Sequence, residues 1–207
     1  MNPMQKTTPK GYNPYELMSG LQKFIRRSLE KEALFCFYEM ESAGLYPHAR
    51  NRLLTIIYED VSLGNISLTN SIGILIHRMD EYYKKKDGAW RLVLGNIILQ
   101  ACRGGKSRIA DQFVCTVAAM MIDGYRVDFD EHDYVFDCHT LKGKKMGRGY
   151  DHFYNEGSKI IESNETTDYW QEEQDYSNKV EAEGFNVLDD YTLSDIELQN
   201  KKGLFWD

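Results

Sequence analysis

The chain has 207 residues and a formal net charge of −7, which is enough length for one domain with a real core and an appendage. No apolar run approaches the roughly 18 residues of a membrane span, and the polar first ten residues lack the apolar stretch of a secretion signal. Composition therefore argues against a membrane or secreted protein and predicts a cytoplasmic one. The cysteines are scattered and are typical of free thiols in a reducing compartment: Cys36, Cys102, Cys115 and Cys138.

Hydrophobic periodicity predicts six helices over the first 123 residues. Asn13 is placed to cap the first helix, with Pro14 at its first position and Glu16 in its first turn. Gly44 is placed to end the second helix, and Pro47 to open the third. The second helix is predicted at about 30–43, and the third has its apolar face around Leu53. The fourth, fifth and sixth are predicted at 68–83, 90–102 and 109–123; the last two are the most apolar and are expected to be central.

Charge and period change after Asp123. Residues 125–137 alternate apolar and polar side chains, which predicts a short strand or an ordered acidic loop. Residues 139–150, the basic segment, carry four cationic residues and no acid. From Asn155 to the end there are 14 acidic and 4 basic residues, a net of −10, which leaves a net of +3 on the other 154. We therefore expect a flexible leader (1–11), a helical domain (12–154) and an acidic, partly disordered tail (155–207).

Two stretches carry a family pattern. The first contains Tyr15-Glu-Leu-Met-Ser, Lys23, Arg26, Ala33-Leu34, the turn Gly44-Leu-Tyr-Pro, Arg52-Leu53 and Glu59-Asp-Val-Ser-Leu-Gly64; the second contains Lys106-Ser107 and Gly147-Arg-Gly-Tyr150. In order and spacing they resemble the C-terminal region of the MgsA/RarA family, the replication-associated recombination proteins of the clamp-loader AAA+ class. The turn at Gly44 lacks the two acids of the family pattern.

The resemblance spans roughly 12–153 and implies a mainly α-helical, clamp-loader-like oligomerisation domain that forms tetramers or similar rings. It also implies a role at replication forks or at junctions of single-stranded and double-stranded DNA. The family's ATPase module would precede this region, where the chain has eleven residues. The expected protein is therefore not an enzyme, needs no cofactor and relies on a partner for ATP hydrolysis.

Nucleic-acid contacts are predicted at two places. In the basic segment the cations would meet phosphates, the glycines would let the backbone lie close to a sugar-phosphate chain, and the aromatic residues would stack on an unpaired base. The alternative for this segment is a solvated run of charge. Between the fifth and sixth helices, a basic turn is placed to contact phosphate at a helix N-terminus; its alternative is a solvated turn. The candidates are Lys142, Lys144, Lys145, Arg148, Tyr150 and Phe153 in the segment and Arg103, Lys106 and Arg108 in the turn.

Three other patterns have plainer explanations. Gly105-Lys106-Ser107 suggests a P-loop, but the glycine that a P-loop needs five residues earlier is Gln100. The acids and histidines of 128–139 suggest a nuclease metal site, yet an acidic loop that pairs with the basic segment is preferred. Glu59 and Asp60 end a helix, where acids are unfavourable, so Arg50, Arg52 or a neighbouring subunit is expected to compensate them.

The C-terminal residues Leu204, Phe205 and Trp206 form an apolar end to an acidic tail. They predict docking to a sliding clamp or folding back onto the body, where the acids would cover the basic segment; the remaining alternative is a tail with neither role. The function predicted overall is a non-catalytic replication or recombination accessory that oligomerises and contacts DNA. A helical interaction or regulatory protein outside replication is the alternative, and a metal-dependent nucleic-acid enzyme ranks below both.

Overall fold

A computed structural model describes Met4, residues 7–161 and residues 168–182, and these residues form helices and turns without a strand. The mainly α-helical class is therefore confirmed. The chain divides into two compact units, residues 1–114 and 115–207, and the point of division falls inside the sixth helix. The helices are α1 Pro14–Arg26, α2 Glu30–Ser42, α3 Tyr46–Ile56, α4 Ile66–Lys84, α5 Trp90–Arg103, α6 Ile109–Ile122, α7 Leu141–Lys145, α8 Tyr150–His152 and α9 Trp170–Ala182.

Helix boundaries follow the local signals that the sequence carries. The Asn13 side chain accepts a hydrogen bond from the Tyr15 amide at 2.9 Å, and Pro14 occupies the first turn of α1. Gly44 follows α2 with a φ of +75°, a left-handed conformation that suits glycine. Asn65 caps α4 by accepting from the Leu68 amide at 3.2 Å. The predicted starts of the first helix and end of the second are thus confirmed.

Two irregular helical turns connect α3 to α4. A π-helical turn, Ile57–Val61, continues α3, and a 3₁₀ turn, Ser62–Asn65, leads into α4. Ser62 has a φ of +39°, which is uncommon for a residue other than glycine. The π-helical turn therefore carries Glu59 and Asp60 out of the regular helix just before the chain changes direction.

The core of the first unit lies between α1, α2, α3, α4 and α5. Its fully buried side chains recur at helical spacing, as predicted, and include Leu21, Ile25, Phe37, Met40, Leu53, Ile56, Leu68, Ile72, Met79 and Leu94. At one end Tyr46 stacks on Tyr83 with ring centroids 3.6 Å apart, and Trp90 meets both edge-on. Burial, followed by the hydrogen bond to Asp80, raises the pKa of Tyr46 far above its ordinary value.

The two most apolar helices line the cores, as their composition predicts, and each also exposes apolar side chains. α5 packs against α1, α2 and α4 and buries six residues, among them Trp90, Leu94 and Ile97, but leaves Leu92 77% exposed. α6 exposes Phe113 and Val114. No described helix combines the length and the apolar character that crossing a bilayer requires.

The second unit has a small apolar cluster. Its buried side chains are Cys115, Ala119 and Ile122 of α6 and Val180 of α9, and Tyr176 packs against them. The sequence pattern predicted no helix in this part of the acidic tail. α9 nevertheless forms and places Val180, which is 0% exposed, in the cluster.

Residues 125–137 are an ordered loop with one 3₁₀ turn, Asp133–Val135, and no strand within it. Of the two interpretations left open by the sequence, the loop is therefore the correct one. All four cysteines are free, as predicted, and three of them are buried.

Candidate nucleic-acid interface

The basic segment is folded tightly around the short helix α7. The Thr140 hydroxyl accepts a hydrogen bond from the Gly143 amide at 3.0 Å and so caps the helix. Gly147 then turns the chain with a φ of +72°, and the Arg148 amide returns to the Gly143 carbonyl at 3.0 Å. The segment therefore has a fixed shape that joins α7 to α8.

Gly143 has an internal reason to be glycine. A Cβ atom built on it would lie 2.0 Å from the Asp137 carbonyl oxygen and 2.6 Å from the carbonyl carbon. Such distances are impossible for a side chain, so the acidic loop crosses α7 where only glycine fits. A backbone does approach this glycine closely, as predicted, but it is the protein's own backbone at Asp137 and not a sugar-phosphate chain.

Arg148 is held by the acidic loop. Its guanidinium pairs with the Asp133 carboxylate and donates to the backbone carbonyls of Asp133 at 2.6 Å and Phe136 at 3.0 Å. The hydrogen bond from Arg148 holds the pKa of Asp133 below its usual range. Only 16% of the Arg148 side chain is exposed, so this cation mainly fastens the loop to the basic segment.

Lys142 is also engaged by its own unit. Its ammonium group pairs with Asp130 and lies 3.9 Å from the centroid of the Phe136 ring. The preferred interpretation of the acidic residues, a loop that pairs with the basic segment, therefore agrees with two ion pairs. Both partners of this pair are more than half exposed, so the contact is worth little energy.

Lys144 and Lys145 differ from the other two cations. Both side chains are exposed, and neither has an ion-pair partner among the described residues. They stand at the C-terminal end of α7, where cations also suit the helix dipole. Of the four cationic candidates in this segment, these two are free to meet a phosphate.

An aromatic cluster adjoins these lysines along the chain. It consists of His139, Tyr150, Phe153 and Tyr154, and we call it the 139–154 aromatic cluster. Phe153 is half-buried and meets His139 edge-on at 4.9 Å between centroids. Tyr150 and Tyr154 are 64% and 68% exposed, with centroids 6.3 Å apart and planes tilted by 30°. The outward-facing pair is thus Tyr150 with Tyr154.

Tyr154 was absent from the predicted candidates, whereas Phe153 was among them. The signal was present, because residues four apart share one face of a helical turn. α8 and the following π-helical turn, Phe153–Gly157, provide that geometry. Helical spacing counted from Tyr150 identifies Tyr154 as its neighbour.

The alternative of a metal site in residues 128–139 finds little support. Within the described parts of the chain, no three carboxylate, histidine or cysteine side chains converge as metal ligands would. Asp137 instead accepts from the His139 amide at 2.8 Å and lies 3.1 Å from its Nδ1 atom. These bonds, with that to the imidazole first, lower the pKa of Asp137.

The second predicted basic group lies in the first unit, and its side chains already have protein partners. Arg103 binds Glu30 through two hydrogen bonds of 2.6 and 3.0 Å. The Lys106 ammonium donates to the Ser28 hydroxyl at 3.0 Å and to the Cys102 carbonyl at 2.8 Å. Arg103 remains 68% exposed and so keeps a surface on which an anion could compete with Glu30.

The glycines beside Lys106 serve a backbone crossing. A Cβ on Gly64 would lie 2.5 Å from the Lys106 backbone, and one on Gly105 would lie 2.4 Å from the Gly64 carbonyl oxygen. The 104–107 loop and the 62–65 turn therefore touch backbone to backbone. This contact accounts for the Gly-Lys-Ser pattern without a bound phosphate.

Asp60 is the centre of a buried polar group beside this crossing. Its carboxylate is 1% exposed and accepts from Arg26 Nε at 2.7 Å and from Gln22 Nε2 at 2.8 Å. Arg26 also binds Glu59 at 2.8 Å, and Arg108 approaches Asp60 at 3.5 Å and Glu59 at 3.7 Å. We call these five residues the Asp60 joint.

The residues expected to compensate Glu59 and Asp60 do so indirectly or not at all. Arg52 donates a hydrogen bond to the Gln22 side-chain oxygen and so orients the amide that binds Asp60. Arg50 pairs instead with Asp80 at 2.9 Å, on a different side of α3. The cations that do contact the two acids, Arg26 and Arg108, are distant from them in sequence.

Three of the family-like motifs of the first unit therefore meet in space. Arg26 and the Glu59-Asp60 pair form direct contacts, and the Ser107 amide donates to the Asp60 carbonyl at 3.0 Å. Their common task is to hold α1, the π-helical turn and the 104–108 loop together. The proposed docking residues Leu204, Phe205 and Trp206 lie outside the described residues.

Comparison with known proteins agrees with this pattern. No protein-family model matches the chain. A curated relative, replication-associated recombination protein A of Bacillus subtilis (strain 168), is 27% identical over 140 residues, which is 68% of this chain. The matched part is 32% of the relative, so the chain spans about a third of that protein's length. The resemblance predicted from the motifs is thereby confirmed: this chain is similar to part of a replication-associated recombination protein.

Proposed function

We propose that this protein is a non-catalytic accessory in DNA replication or recombination, which contacts nucleic acid and self-associates while a partner supplies ATP hydrolysis. The observation that carries the proposal is the similarity to replication-associated recombination protein A over 68% of the chain. We take the process, replication or recombination, from the name of that relative, and we take the surfaces for DNA binding and self-association from the exposed side chains of this chain.

The nucleic-acid contact is assigned to Lys144, Lys145, Tyr150 and Tyr154. Two free cations predict a weak salt dependence of binding, because each neutralised phosphate contributes about 0.7 to 0.9 to the magnitude of the slope of log K against log salt. We therefore expect this segment to contribute about 1.4 to 1.8 to the magnitude of that slope. Counting all four cations of the segment would double that value, but Lys142 and Arg148 are paired with acids.

The test is the salt dependence of DNA binding by the Lys144→Gln/Lys145→Gln variant. Its affinity at low salt should fall, and the magnitude of its slope should drop by about 1.4 to 1.8 relative to the unaltered protein. Lys84→Gln/Lys85→Gln removes an adjacent exposed pair at the end of α4 and is the matched control. Equal slopes for both variants and the unaltered protein would count against this interface.

Self-association is assigned to the outer face of α4 and α5. Ile74 and Leu92 are 73% and 77% exposed, and Ile66 and Leu99 continue the same two helix faces at spacings of about two turns. Gly73 and Gly95 have open space where a side chain would stand. Exposed aliphatic residues on helices that also carry such glycines favour packing against another copy, because a two-fold interface matches each patch with itself.

Sedimentation velocity at tens of micromolar, on the order of concentrations at which weak oligomers form, tests this assignment. The unaltered protein should sediment as an oligomer, with the tetramer expected from the family resemblance. Ile74→Glu/Leu92→Glu should sediment as a monomer, while Ile160→Glu, which charges an even more exposed residue elsewhere, should not change the oligomer. A monomer at every concentration would refute the assignment.

The alternative, a helical interaction protein outside replication, is favoured by one observation. A cleft of about 610 Å³ lies between α1 and α2, lined mainly by apolar side chains that include Leu17, Phe24 and Phe35. Such a cleft suits an apolar peptide side chain. Capture of partners by the protein and by Phe35→Glu separates the two functions, since only the alternative predicts that this variant loses its principal partner.

A further inference from the structure

We infer that Tyr150 and Tyr154 form a stacking site for an unpaired base, so that the segment prefers single-stranded nucleic acid to duplex. The inference rests on the proposed nucleic-acid contact and deepens it by naming the substrate class. In a duplex the base faces are covered by their neighbours, whereas an unpaired base offers them to an aromatic ring.

The geometry of the two rings suits this task. They lie on one face of a helical turn, tilted by only 30° and with centroids 6.3 Å apart. A planar ring held between two others needs about 7 Å, twice a van der Waals spacing of roughly 3.5 Å. Because both tyrosines are about two-thirds exposed, a small side-chain rotation opens the gap or presents either face alone.

The site is braced from within its own unit. Phe153, half-buried, meets the Tyr154 ring at 5.3 Å and the His139 ring at 4.9 Å. His139 also meets Tyr150 at 6.1 Å and is itself fixed by two contacts with Asp137. The outer rings therefore rest on a second layer of aromatic side chains, which lowers the ordering cost of binding.

Two cations precede the rings along the chain, and one exposed acid, Asp151, lies between the two tyrosines in sequence. His139 is followed by Thr140, which caps α7, and Lys144 and Lys145 end that helix without ion-pair partners among the described residues. Glu156, the nearest acid after Tyr154, is paired with Lys159 at 2.7 Å. Two free cations are few for a duplex footprint, so base stacking has to supply much of the affinity.

The test is a cycle that removes either the ring or the base. A fluorescent thymidine strand of about 12 nucleotides, within the usual range of single-strand site sizes, is compared with an abasic strand of equal length. Tyr150→Leu and Tyr154→Leu should weaken binding of the thymidine strand by about 5-fold to 100-fold. The same variants should leave the abasic strand within about twofold, because its phosphates meet the unaltered lysines.

Two further variants control for structure. Tyr150→Phe keeps the ring and should retain thymidine-strand binding within about threefold, since stacking needs no hydroxyl. Tyr125→Leu removes an exposed tyrosine of the same unit that lies outside the 139–154 aromatic cluster, and should bind both strands normally.

The outcomes separate this inference from the proposed function. If the unaltered protein binds neither strand nor duplex, the proposed nucleic-acid contact fails and the stacking site falls with it. If the Lys144→Gln/Lys145→Gln variant loses affinity but the leucine variants weaken both strands equally, or neither, the stacking site alone is overturned. Tighter binding of duplex than of the thymidine strand also overturns it.

Discussion

Replacing Asp60 by asparagine should destabilise the protein far more than replacing a surface acid. The two carboxylate oxygens of Asp60 each accept from a different donor, Arg26 Nε at 2.7 Å and Gln22 Nε2 at 2.8 Å. Asparagine has one oxygen and one amino group. One of the two donors would therefore face another donor at a site where Asp60 is 1% exposed.

The magnitude follows from burial. Removing one partner of a fully buried ion pair costs about 3–5 kcal/mol. Here the Arg26 side chain keeps 32% exposure and still binds Glu59, so part of its charge stays compensated. We expect a loss of about 2–3 kcal/mol. For a chain of this size the midpoint of thermal unfolding should fall by about 5–10 °C.

Thermal and urea unfolding followed by far-UV circular dichroism measure this loss. Glu81→Gln is the matched control, because it removes an acid from the exposed pair with Arg78 and should cost under about 0.5 kcal/mol. A double-mutant cycle with Arg26→Gln should return a coupling of about 1–3 kcal/mol. An Asp60→Asn midpoint no lower than that of Glu81→Gln would refute the role of the Asp60 joint.

Three further predictions concern other parts of the chain. Gly143→Ala should cost about 1–3 kcal/mol or more, because its Cβ would collide with the Asp137 carbonyl oxygen, and urea unfolding will show whether the midpoint falls. Burial raises the pKa of Cys36 and Cys102 to about 11; both thiols ionise earlier in the unfolded chain, so unfolding free energy should decline between pH 9 and pH 11, and a flat profile would contradict this. The protein should not hydrolyse ATP, and turnover that Lys106→Ala abolishes would show that the 104–107 loop is a nucleotide site after all.

The helices could be predicted from the sequence because their signals are local. Asn13, Pro14 and Gly44 mark helix ends within a few residues, and apolar spacing marks the buried face. The contacts that define the Asp60 joint could not be predicted in this way. Arg26 lies 34 positions from Asp60, and no local sequence signal links the two residues. The prediction chose Arg50 because it is close to Asp60 in sequence, but Arg50 lies on a part of α3 that faces Asp80.

The candidate interface was predicted in outline but not in detail. A basic segment facing an acidic loop can be recognised from charge, yet charge alone does not show which lysines are neutralised. Folding pairs Lys142 and Arg148 with acids 12 and 15 positions earlier and leaves Lys144 and Lys145 free. Tyr154 was missed because no helical turn was predicted here, and its spacing of four from Tyr150 becomes a signal only with that turn.

The Asp60 joint also bears on the order in which the first unit folds. Its bonds connect residues 34 and 38 positions apart, and the neighbouring bond from Lys106 to Ser28 spans 78 positions. Contacts that close such long loops form after local helices, since the loop-closure entropy must first be offset by other packing. We therefore expect the joint to form late in folding, so that its loss should accelerate unfolding more than it slows folding. On this reasoning the joint governs the lifetime of the folded unit and not the rate at which that unit forms.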